Sequence, residues 1–161
     1  MGTRIESDRP YRRSADIART LVGLIWIAGA AFNAFWTLRH TDLYQGFVDD
    51  APISLFRWLF RDVVMERPVR WTVLLIAGEL ALGILTLGKG AWARLGIAGG
   101  VSWSAVLFIL LPPYTLMMGP FALAVAWLLR WSYPSSAIQL FRRREAARKT
   151  KSRQPGRTSI A

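Results

Sequence analysis

The chain has 161 residues, 53% hydrophobic and 12% aromatic, yet it carries 21 Lys and Arg against 10 Asp and Glu, a formal net charge of +11. With no cysteine it encodes no disulfide, thiolate metal site or CxxC redox centre, and with a single histidine, His40, it encodes no multi-histidine metal cage and no bis-histidine haem site. High apolar content and excess charge conflict in a water-soluble domain, but agree if apolar residues gather in membrane spans and basic residues lie outside them.

Residues 1–16 form a basic segment with Arg4, Arg9, Arg12 and Arg13. The first apolar block follows at Ile17–Leu38, interrupted by Arg19, Thr20, Asn33 and Thr37. It starts late and runs longer than a signal-peptide core, so it is expected to be a retained span. Further spans are expected at 71–88, 92–111 and 114–131, the last opening after Pro112 and Pro113. Residues 17–134 thus read as an all-α, integral membrane four-helix bundle.

Short basic flanks fix the expected orientation, because Lys and Arg stay on the cytoplasmic side. The N-terminal segment, with Arg19 counted among its flank charges, the Lys89–Arg94 turn and the basic tail 135–161 fall inside, while the uncharged turn "PPYTLMMGP" falls outside. Loop 39–70 is then outside although it holds Arg39, Arg57, Arg61, Arg67 and Arg70. Within it, Leu55, Phe56, Leu59, Phe60, Val63 and Val64 recur at the spacing of one helical face, so a short amphipathic interfacial helix, N-capped by Ser54, is expected. The tail is expected to continue as helix for a few residues from Arg142 and to meet anionic headgroups rather than nucleic acid.

The residue that most needs a reason is Glu79, in "VLLIAGELALGILTLG". A carboxylate at mid-bilayer costs several kcal/mol, about 3 on insertion scales, so it should face the bundle interior, protonated or paired. Asn33 on the first span is at a similar depth; Ser102, Ser104, Tyr114 and Thr115 are other candidate partners. Two readings stand: Glu79 anchors a ligand such as a quinone or a lipid headgroup, with Asn33, Trp36, Arg39 and His40 at the same site, or it forms an interhelical hydrogen bond that fixes packing. Aromatic and cationic residues at a span end also serve as interfacial anchors, as expected of Trp36, Trp71, Trp92 and Trp131. Gly96 and Gly100 form a small-residue face on the third span, and Gly78 and Gly83 offer matching room on the second. No serine elbow, phosphate loop, dinucleotide fingerprint or metal motif is present in the sequence.

The arrangement "GELALGILTLGKGAWARLGIAGGVSWSAVLF" resembles the DoxX-like family of small four-helix membrane proteins, with Glu79, Leu80, Gly83, Gly88 and Arg94 matching that family's motif. The spacing to Arg94 is lengthened by "KGAWA", and the outer loop is longer than in the smallest members. The resemblance implies a bacterial inner-membrane protein with both termini cytoplasmic, either an accessory or redox-partner subunit of a membrane complex or a quinone-linked oxidoreductase subunit of the thiosulfate:quinone type. The chain encodes no cofactor of its own, and a quinone is the one this reading invites. Other expected partners are the lipid bilayer and a membrane protein or a second copy. A small transporter is a weaker third reading.

Overall fold

The computed structural model describes residues 9–51, 53–110 and 116–152, and among them regular structure is helical, with no strand. Helix α1 (Arg9–Phe32) continues through a wider π-helical turn, Asn33–Thr37. Two short helices follow: α2 (Leu43–Asp49), and α3 (Ser54–Trp58) with its own π-helical extension, Leu59–Val64. Helices α4 (Pro68–Leu87) and α5 (Ala91–Leu110) are joined by a tight turn. Then come α6 (Met118–Ala126), which tightens into a 3-10 turn at Trp127–Arg130, and α7 (Ala137–Ser152).

Pro68 sits in the first turn of α4, where its missing N–H has no helical partner to lose. Gly90 adopts φ 58°, which a residue with a Cβ resists, and this reverses the chain between α4 and α5. Both helices carry apolar residues on every side. Val73, Leu74, Ile84, Leu95 and Ile109 are half exposed, a surface that water-soluble proteins rarely present. Three segments, Arg13–Thr37, Pro68–Leu87 and Ala91–Ile109, are long and apolar enough to cross a membrane. Met118–Arg130 is apolar but shorter, and the expected start of a fourth span, with Tyr114 and Thr115, lies outside the described residues.

Helix α1 packs on α4, α4 on α5, and α5 on α6. The circuit closes where Trp26 of α1 meets Phe121 of α6 edge-on, at 6.2 Å between ring centroids. Ala15, Val22 and Trp26 of α1, Ala93 and Ile97 of α5, Val125 of α6 and Leu128 of the 3-10 turn after it belong to the main core. A second cluster caps the opposite end, where Tyr44 and Val48 pack on Phe60 and Val64, with Leu107 of α5 beside them.

That cap departs from the sequence reading in three respects. Helix α2 was not expected, and it is held by a hydrogen bond of 2.8 Å between the Tyr44 and Thr72 hydroxyls. Because the Thr72 proton already goes to the Pro68 carbonyl, Tyr44 is the donor. Ser54 is the first helical residue rather than the cap: Ile53 holds the N-cap position without a side-chain hydrogen bond. Of the expected apolar face, Phe60 and Val64 are buried while Leu55 stays exposed. The tail helix also starts earlier than Arg142, at Ala137, and reaches Ser152.

Candidate functional site

Glu79 lies midway along α4, opposite the π-turn of α1. There the Asn33 side-chain amide donates to Glu79 Oε2 at 2.8 Å, and the Thr37 hydroxyl donates to Asn33 Oδ1 at 2.7 Å. The Thr37 bond fixes which way the Asn33 amide points. The π-turn closes with Leu38 N–H on the Asn33 carbonyl, and such wide turns recur where a helix must aim particular side chains. One turn before Asn33, Gly29 leaves the space the carboxyl group occupies: a Cβ there would stand 3.3 Å from both carboxylate oxygens.

On the side away from α1, Glu79 contributes to the wall of a groove of about 640 Å³ between α4 and α5. The walls are Trp71, Leu74, Leu75 and Leu82 from α4 and Gly99, Ser102, Trp103 and Val106 from α5. Gly78 forms part of its floor, and a Cβ at Gly78 would meet nothing within 4 Å. Such a site, apolar with a few polar groups, suits a flat or chain-like apolar ligand better than a polar metabolite. Among the described residues no three His, Asp or Glu side chains converge as metal ligands.

The other expected ligand residues sit apart from this groove. Trp36 stacks on His40 at 4.3 Å and is half exposed, and His40 Nδ1 lies 3.0 Å from the Trp36 carbonyl. Arg39 turns back to donate to the Phe35 carbonyl. None of the three lines the groove, because each bonds within its own helix end. Ser102 faces the groove, whereas the Ser104 hydroxyl is buried without a partner.

The glycines divide differently from the expected pairing. Gly96 packs on the α4 backbone, where a Cβ would collide with Thr86 N, and Gly100 packs on the Trp26 indole. Gly83 faces α1 instead of α5, against Ile27 and the Gly23 carbonyl. Gly78 serves no helix contact. Arg94 of the quoted motif is exposed, and Gly88 offers its carbonyl to a different arginine.

That arginine is Arg19, which sequence reasoning counted only as a flank charge. It is fully buried, and its guanidinium donates to the carbonyls of Gly88 at 2.5 Å, Ser135 at 3.2 Å and Thr86 at 3.4 Å. Asp16 pairs with it at 3.4 Å, and its Cζ lies 4.6 Å from the Tyr133 ring centroid. The unpaired carbonyls at the end of α4 carry partial negative charge, so a cation belongs there. Tyr133 in turn donates to the Leu128 carbonyl and accepts Gly90 N–H at its own carbonyl. Burial pushes its phenol up to about 12, with Arg19 opposing the shift and Asp16 adding to it. The available signal was an Asp16–Arg19 pair, three apart, at the edge of an apolar block.

These features define a helical protein with three helices long and apolar enough to cross a membrane, and with an acid–amide pair beside an apolar groove. The chain matches no family model, no curated protein and no solved structure.

Proposed function

We propose that the chain is a four-span, DoxX-like protein of a bacterial cytoplasmic membrane with both termini inside. It serves a membrane complex as an accessory or redox-partner subunit, holding a lipid or quinone in the α4–α5 groove beside Glu79. The observation that carries this reading is the groove itself, with tryptophans at 71 and 103, aliphatic walls, and Glu79 and Ser102 as its polar groups. The residues present fit a quinone: the indoles and leucines suit a flat ring with an isoprenoid tail, and Ser102 and Glu79 suit its carbonyls. A bound quinone would supply two-electron, two-proton chemistry. The chain's own part is to orient the ring, exclude water and hold a proton at the Glu79 carboxyl, steadied by Asn33 and Thr37.

The test is to purify the tagged full chain from its native membranes together with its partners and to assay quinone-dependent turnover of the complex. A marked loss of turnover in Glu79→Gln, with assembly intact, supports a redox-partner role. Full turnover in both Glu79→Gln and the groove-filling Gly78→Leu would remove the groove from the function.

A further inference from the structure

The loop 39–70 carries more arginine than an outer segment should, and the structure gives two of those residues a shared location. Val63, Glu66, Arg67, Arg70, Trp71 and Leu74 enclose a pocket of about 400 Å³ at the start of α4. Trp71 and Leu74 also wall the Glu79 groove, so the two spaces adjoin along one helix. Trp71 marks the junction, its indole N–H fixed on the Val63 carbonyl at 3.0 Å.

Charge and depth together identify an occupant. Arg67 is only loosely paired, with Glu66 at 4.0 Å, and the Arg70 guanidinium makes no hydrogen bond or ion pair among the described residues. Helix α4 begins without a side-chain cap, so its positive dipole end adds to the two guanidinium groups. From Arg70 to Glu79 the helix descends about 13 Å, close to the roughly 15 Å of hydrocarbon in one leaflet. A cationic mouth at headgroup level above an apolar groove one leaflet deep is the shape of a lipid with an anionic head.

We infer that an anionic phospholipid of the outer leaflet occupies this site, with its phosphate at Arg67 and Arg70 and one acyl chain in the α4–α5 groove down to Gly78 and Glu79. This rests on the reading that the groove holds an amphiphile, and it assigns the class. It also accounts for two of the five arginines that the positive-inside rule leaves on the wrong side.

The test offers the purified full chain an equal mixture of phosphatidylglycerol and phosphatidylcholine and counts retained lipid by native mass spectrometry. The wild type should retain one phosphatidylglycerol with roughly tenfold preference, and Arg67→Gln/Arg70→Gln should bring the two lipids near parity. Because both arginines are exposed, the double variant should fold; raised salt should erode the wild-type preference in the same direction. Equal retention of the two lipids by the wild type overturns the headgroup assignment, as does a preference that survives the double variant and so belongs to the basic tail. A retained quinone without phospholipid overturns the inference but leaves the proposed function standing. Retention of neither, or of a polypeptide in the groove, overturns both.

Discussion

Asn33 and Glu79, on different helices, meet through a single 2.8 Å hydrogen bond, and Thr37 locks the amide from behind. If this bond only fixes packing, it is worth about 0.6 kcal/mol, as interhelical bonds average. Glu79→Gln keeps an acceptor for Asn33 and should melt within a degree or two of the wild type. Asn33→Ala leaves the acid without its donor and should cost about 1 kcal/mol. Thermal unfolding in detergent measures both; equal losses would mean that the carboxyl group matters to the fold beyond this bond.

Arg19 ties three segments that are remote in sequence, and no other residue type reproduces its fork. Arg19→Ala leaves the Gly88 and Ser135 carbonyls unmet and Asp16 unpaired, so a loss of about 3 kcal/mol is expected. Arg19→Lys should recover little of it, because an ammonium cannot span the separated carbonyls. Full recovery by lysine in a thermal melt would show that charge alone suffices.

Tyr133 gives the clasp an alkaline limit. Its phenol ordinarily ionises near 10.0 but is pushed up to about 12 in the fold. The unfolded chain releases this proton first, so the stabilisation is complete below pH 10 and is lost as pH rises towards 12. Tyr133→Phe should cost about 1 kcal/mol at neutral pH through loss of the Leu128 bond, and its stability should fall less steeply over that alkaline window. Parallel curves for the two proteins would contradict the shift.

At Gly96, α5 packs directly on the α4 backbone. Gly96→Ala drives a Cβ against the Thr86 backbone and should destabilise by about 1–3 kcal/mol through overpacking. The measurement is the same detergent melt, and an unchanged midpoint would mean that the helices separate freely there.

The sequence made the long apolar helices legible because hydropathy and span length are local properties. Asn33 stood among several candidate partners of Glu79 because depth along a span follows from residue count. The rest depended on which way helices rotate. Gly83 turned out to face α1, Gly78 the open groove, and the pocket lay between α4 and α5 rather than at the Trp36–His40 end. Helix α2 was missed because "LYQGFVD" has no long apolar period, and its burial comes from Tyr44 reaching Thr72. Arg19 was misread because a flank charge and a buried clasp look the same in one dimension.

The central claim is that the groove beside Glu79 holds a ligand, and Gly78 allows it to be tested without disturbing the fold. A Cβ there meets nothing within 4 Å, and replacing a helical glycine favours the helix by up to about 1 kcal/mol. Native mass spectrometry of the wild type and Gly78→Leu, each extracted gently with its own lipids, is the direct measurement. One amphiphile retained by the wild type and lost from an equally stable Gly78→Leu is the predicted result. Equal retention by both, or none by the wild type, would contradict the account.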